Sequence, residues 1–129
     1  MAQVKIFGLE AALARHKQAL SEAVHNALMT AFGLPENKRF QRFISLAPDE
    51  FQFPDDRGTN YTIIEISVFE GRSVEAKKKL IRLLFENAEK QAGISPQDLE
   101  ITISETPMSN WGIRGVPADE LALNYKVKV

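Results

Sequence analysis

Residues 62–93 read TIIEISVFEGRSVEAKKKLIRLLFENAEKQAG, and the hydrophobic period changes partway through. Ile64, Ile66 and Val68 alternate with Glu65 and Ser67, the two-residue period of a strand that buries one face. From Arg72 onward, Leu80, Leu83, Leu84, Ala88 and Ala92 recur at three- and four-residue steps, which predicts a helix with a single apolar stripe. Gly93 stands where a left-handed C-terminal cap belongs, and Ser73 offers half a capping box because Glu75 falls one position early. A strand and a helix that are each apolar on one side only must cover one another.

The same unit occurs 60 residues earlier. Val4, Ile6, Leu20, Val24, Gly33 and Leu34 align with Ile64, Ile66, Leu80, Leu84, Gly93 and Ile94. The stretch LARHKQALSEAVHNALMTAFG, residues 13–33, carries the earlier helix, with its stripe at Leu13, Leu20, Val24, Ala27, Leu28 and Ala31. Past the glycines a further strand is expected in each copy. Leu99, Ile101 and Ile103 alternate with Glu100, Thr102 and Ser104, and RFQRFISL (39–46) places Phe40, Ile44 and Leu46 on one face with Arg42 intruding. Matching Phe40, Arg42 and Ile44 to Leu99, Ile101 and Ile103 puts the offset at 59, a slip of one residue in the helix-to-strand loop.

Two strand–helix–strand units with right-handed parallel crossovers predict an α+β fold. The two β-α-β repeats form a four-stranded sheet with both helices on one face, plus short edge strands. The opposite face is expected to be polar and to meet water or other subunits. Repeat one covers about 2–47, a turn-rich linker 48–60, repeat two about 61–106 and a tail 107–129, all within a single domain. The tail is expected to form a short helix over PADELAL (117–123) and a last strand through Tyr125, Val127 and Val129 that pairs with a neighbour.

Composition narrows the function classes. Sixteen basic and seventeen acidic side chains give a net charge of -1, which leaves no general electrostatic attraction to nucleic acid or anionic membrane. Cysteine is absent, so disulfides, thiol nucleophiles and cysteine-ligated metals are excluded. Neither a signal-peptide pattern nor a membrane-length apolar run is present, and a cytoplasmic location is expected. His16 and His25 lie nine positions apart, on opposite sides of one helix, so they share no metal and are expected at the surface.

Four ordered stretches carry a resemblance: AFGLPENKRFQ (31–41), GRSVEAKKKL (71–80), AGISPQDLEI (92–101) and SNWGIRG (109–115). On this topology they resemble the tautomerase superfamily, which includes 4-oxalocrotonate tautomerase and macrophage migration inhibitory factor, and within it the malonate semialdehyde decarboxylase-like members. The resemblance implies a homotrimer and a pocket where the first strand begins. It also implies catalysis without metal or cofactor by an N-terminal proline. Here that place falls to Ala2, or to Met1 if it is retained, and either gives a primary α-amine with an ordinary pKa of about 7.7–8.0. The water-activating aspartate of the decarboxylases falls on Lys38, their paired arginines on Glu70 and Arg72, and their aromatic pair on Trp111 and Ile113 beside Arg114. These departures disfavour decarboxylase or hydratase chemistry.

Each of these residues also has a plain structural reading. Arg72, between a strand and a helix, grips a substrate carboxylate or makes a surface or interface ion pair. Lys38 adds positive field to a site or is merely solvated. Trp111 walls a pocket or closes the core edge, and Arg114 binds an anion or anchors the tail. The function expected is a tautomerase-like proton transfer on a small keto or carbonyl acid. In it the terminal amine and Arg72 are catalytic, and Lys38, Trp111, Ile113 and Arg114 bind substrate. The alternative is a non-catalytic trimeric relic of the fold with an anion-binding or partner-binding role.

Overall fold

The computed structural model describes residues 2–129, so Met1 lies outside the described residues. Strand β1 (Ala2–Leu9) leads straight into helix α1 (Glu10–Phe32), and β2 (Gln41–Leu46) completes the first unit. Strand β3 (Thr62–Phe69), helix α2 (Val74–Ala92) and β4 (Leu99–Thr106) repeat it. The sheet order is β2-β1-β3-β4, with β1 parallel to β2, β3 parallel to β4, and the two units joined antiparallel through β1 and β3.

Both helices stop where the glycines predict. Gly33 and Gly93 adopt left-handed φ angles of 66° and 67°, and their N–H groups close the last helical turns. At the start of α2 the Ser73 hydroxyl accepts from the Ala76 N–H, satisfying one of the donors that a helix start leaves open. The helices lie together on one face of the sheet, where Val4, Ile6, Ile64, Ile66 and Val68 meet Leu13, Leu20, Val24, Leu80 and Leu84 in one continuous core. Burying each such side chain contributes roughly 1.5–3 kcal/mol, which commits both amphipathic stripes to this face.

The register differs from the sequence expectation in one respect. Val4 pairs with Gln41 and Ile6 with Phe43, while Ile64 pairs with Ile101 and Ile66 with Ile103, so the repeat keeps its 60-residue offset throughout and no slip occurs. The residues of β2 that face the helices are therefore Gln41, Phe43 and Ser45. Phe40, Arg42, Ile44 and Leu46 belong to the other face, and Phe40 itself is exposed and precedes the strand. A one-residue shift exchanges the two faces of any strand. At this sheet edge a polar residue on the helix side is accommodated because the Gln41 amide bonds the Ser21 hydroxyl and carbonyl.

The outer face is not uniformly polar either. Glu65, Glu100, Thr102 and Ser104 are exposed on it, yet Ile44, Phe7 and Ile63 are cross-strand neighbours that form an apolar row over β2, β1 and β3. The tail also departs from expectation. Gly112–Ile113 (β5) and Val116–Pro117 (β6) pair as a tight hairpin, only a 3-10 turn forms at Ala118–Glu120, and residues 121–129 contain no strand. Arg114 and Gly115 at the hairpin tip have φ angles of 49° and 87°, the positive values that a two-residue hairpin turn requires. The tail instead returns across the molecule. Tyr125 packs on the main core, Val127 joins a second cluster around Phe69 and Ala118, and the Ser73 hydroxyl donates to the Val129 carbonyl.

His25 corrects a further expectation. It is 1% exposed, and its Nε2 lies 2.8 Å from the Glu36 carbonyl, so it ties α1 to the loop that follows instead of facing solvent. His16 is half-buried beside Asn60.

Candidate active site

The start of β1 is held deep in the molecule. Ala2 is 3% exposed and pairs with Val68, close to where β3 gives way to the Glu70–Gly71–Arg72 turn. Gly71 adopts a φ of 131°, and a methyl group there would meet the Val127 side chain at 3.0 Å, so the turn and the tail are in close contact.

Arg72 is neither solvated nor ion-paired among the described residues. It is 5% exposed, its guanidinium sits 4.8 Å from the Phe32 ring centre, and Nη1 donates to the Phe69 carbonyl at 3.3 Å. Its Nε and Nη2 have no hydrogen-bond partner among the described residues. Loss of hydration on burial lowers its pKa, and the Glu105 carboxylate works in the opposite direction. A guanidinium nevertheless stays protonated in proteins, so this is a buried cation with two unused donors directed away from water. Glu105 itself is engaged with Lys77 at 2.7 Å, and Glu70 is exposed.

The remaining predicted residues gather around the β5–β6 hairpin. Trp111 stacks edge-on against Phe69, with ring centres 4.8 Å apart, and so closes the second apolar cluster while its other side lines a cavity. That cavity, of about 330 Å³, is bounded by Trp111, Ile113 and Arg114 together with Gln3 and Phe40. A smaller one, of about 190 Å³, brings Lys38 and Arg114 together with Asn124 and Tyr125. Arg114, exposed at the hairpin tip, is common to both.

Sequence reasoning thus placed Lys38, Trp111, Ile113 and Arg114 in one neighbourhood, but Ala2 and Arg72 line neither cavity. Gln3, Phe40, Asn124 and Tyr125 were not singled out. The alternation of β1 marks Gln3 as facing the opposite side from Ala2, which was legible. The placement of Tyr125 depends on the path of the tail, which was not. Among the described residues, no group of histidine and acidic side chains is arranged to hold a metal. No helix among them is long and apolar enough to cross a membrane.

Comparison with known proteins gives consistent matches. The family described as tautomerase enzyme matches residues 38–114. A probable tautomerase of Bacillus subtilis is 30% identical over 97 residues, which cover 71% of this chain and 74% of that protein. Among solved structures, malonate semialdehyde decarboxylase, studied in wild-type, mutant and inactivated forms as a basis for decarboxylase and hydratase activities, superposes with a TM-score of 0.81. It is 25% identical and covers 93% of this chain and 99% of its own. A wild-type fused 4-OT described as a symmetric trimer superposes with a TM-score of 0.73 at 19% identity, over 91% of this chain and 96% of its own, a likeness of fold alone.

Proposed function

The chain belongs to the tautomerase family, and from that premise we propose that it moves a proton between oxygen and carbon of a small keto or carbonyl acid. The observation that carries the proposal is Arg72: a buried guanidinium with two nitrogens that lack a partner among the described residues, close in the chain to the strand residue that pairs with Ala2. A carboxylate accepts from such a pair of donors and compensates the buried charge in one step.

The base in this reading is the α-amine of Ala2 once Met1 is removed, or of Met1 itself. In its neutral form it takes the enol O–H proton as the carbonyl forms, then returns that proton to the adjacent carbon, so atoms and electrons balance with no further reactant. Because only the neutral amine accepts a proton, kcat/KM rises with pH as the amine loses its proton and then levels. Trp111 and Ile113 supply an apolar wall, and Lys38 and Arg114 contribute positive field.

Self-association as a homotrimer belongs to the same proposal. The Ile44–Phe7–Ile63 row on the outer sheet face supports it, as does the trimeric assembly described for the fused 4-OT. Sedimentation as a monomer at micromolar concentration would contradict it.

One observation favours the second reading, a non-catalytic protein that keeps the fold: Ala2 and Arg72 are both buried and border none of the cavities around the hairpin. The two readings separate in one experiment. Mass spectrometry of natively expressed protein identifies the residue that bears the amine, and acetylation of that amine removes its basicity. Loss of phenylpyruvate ketonisation on acetylation supports the enzyme, whereas no acceleration before acetylation supports the relic.

A further inference from the structure

The proposed function needs a ligand to reach Arg72 and the amine at the start of β1, yet Arg72 is 5% and Ala2 3% exposed. Some segment must therefore move. Strands β1, β3 and β4 are fixed by their ladders and by the main core, and α2 begins on a capped turn. Residues 121–129 have no such ties. They form no helix or strand, and among the described residues the N–H groups of 122–128 make no backbone hydrogen bond. Segments that gate a site come from this least stable part of a fold.

The same segment touches the chain on both sides of Arg72. A methyl group on Gly71 would meet the Val127 side chain at 3.0 Å and the Lys128 side chain at 3.4 Å, and the Ser73 hydroxyl donates to the Val129 carbonyl at 3.0 Å. Val127 also packs in the cluster around Phe69, whose carbonyl accepts from Arg72. The tail thus lies along the turn that carries the guanidinium.

Closure leaves polar groups unsatisfied. The buried side-chain atoms without a hydrogen-bond partner among the described residues are Nε and Nη2 of Arg72 and the phenol oxygen of Tyr125, so all of them belong to the turn or to the tail. Each has lost its water on burial without gaining a protein partner. What holds the tail down is the partial burial of Leu123, Tyr125 and Val127. Opening exchanges that apolar burial for hydration of three polar atoms, and the two effects oppose one another.

We propose, on the reading of Arg72 as the group that binds substrate, that residues 121–129 are a strap that closes over the Arg72 site and opens to admit the substrate. A bound carboxylate supplies the acceptors that Arg72 lacks, and so favours the arrangement that admits it over the empty closed one.

The absence of cysteine from the chain allows a reversible lock. In the full chain carrying Ser73→Cys and Val129→Cys, oxidation to the disulfide fixes the strap shut and dithiothreitol frees it, so one protein is its own control. Modification by phenylglyoxal, which attacks accessible guanidinium groups, followed by peptide mass spectrometry reads the exposure of Arg72 without any turnover. Labelling of Arg72 is expected to slow about 10-fold or more on oxidation and to recover on reduction, while the exposed Arg82 labels equally in both states. Val127→Ser removes part of the apolar seal and is expected to speed Arg72 labelling about 10-fold.

Arg72 labelling that is indifferent to the disulfide overturns the strap, as does labelling unchanged in Val127→Ser. Failure of the two cysteines to join overturns it too, because the closed strap holds positions 73 and 129 in contact. A lock that governs labelling in a protein without phenylpyruvate ketonisation in either state refutes the proposed enzyme and leaves the strap standing. Ketonisation equally fast with the disulfide closed and reduced refutes the strap and leaves the enzyme standing.

Discussion

Replacing Arg72 with methionine should make the free protein more stable, although Arg72 is among its most buried polar residues. The side chain makes one hydrogen bond, to the Phe69 carbonyl, and one cation–π contact, with Phe32. These contribute about 1.5–3 and about 0.5–2 kcal/mol respectively. Against them stand two buried nitrogens without partners, Nε and Nη2, at about 1–3 kcal/mol each. The balance at mid-range favours methionine by about 0.5 kcal/mol, and exchange of buried ionic groups for apolar ones of similar volume has a known range of about 1–4 kcal/mol. The lowered pKa of Arg72 has the same sign, because a base whose charged form is disfavoured in the fold destabilises that fold wherever the base is charged.

For a chain of this length, 1 kcal/mol corresponds to about 4 °C in thermal midpoint. Arg72→Met is therefore expected to melt about 2 °C above the wild type at matched protein concentration, with the same ordering in urea. A small carboxylate should reverse the order, since at 100 times its Kd it adds about 2.7 kcal/mol to a protein that binds it and nothing to one that does not. An Arg72→Met variant less stable than the wild type by 1 kcal/mol or more would refute the reasoning, because the guanidinium would then have partners that this account denies it.

Two further outcomes follow from particular contacts. Gly93→Ala should cost about 1–2 kcal/mol through backbone conformation alone, since φ is 67° and a methyl group there meets nothing within 4 Å; equilibrium unfolding checks this, and a neutral result would dispute the left-handed cap. Burial and the Glu100 hydrogen bond raise the Tyr61 pKa, so its contribution is complete below the unfolded value of about 10 and is lost as pH rises through the folded value. Tyr61→Phe should accordingly flatten the alkaline fall in stability relative to the wild type in pH-dependent unfolding.

Much of the fold was legible because local and global signals agree in it. The stripes on both helices, the glycine stops and the alternation of β1, β3 and β4 all point to one apolar face. The signal failed at the sheet edge. In β2 and the residue before it the more apolar set, Phe40, Ile44 and Leu46, lies on the outer face, and Gln41 replaces an apolar residue on the inner one by bonding Ser21. Periodicity alone therefore assigned that strand to the wrong face. The tail failed for a different reason. Tyr125, Val127 and Val129 alternate like a strand, but their packing on two separate clusters satisfies them without any ladder. The Arg114–Gly115 turn lacks the asparagine or aspartate that usually announces such hairpins.

The candidate site was legible as a set of residues but not as an arrangement. Lys38, Trp111, Ile113 and Arg114 were found by motif and spacing. The burial of Arg72 depends on Phe32 and Phe69, which are distant from one another in sequence, and on a tail whose path has no local signature.

The most direct test of the account is the rate at which the enol of phenylpyruvate converts to the ketone, followed by ultraviolet absorbance with wild-type protein and with Arg72→Ala at equal concentration. The wild type is expected to accelerate the conversion over buffer, and kcat/KM of the variant to fall about 100-fold or more, the loss expected when a charged hydrogen-bonded contact worth about 3 kcal/mol is removed. Equal rates for the two proteins would contradict the account.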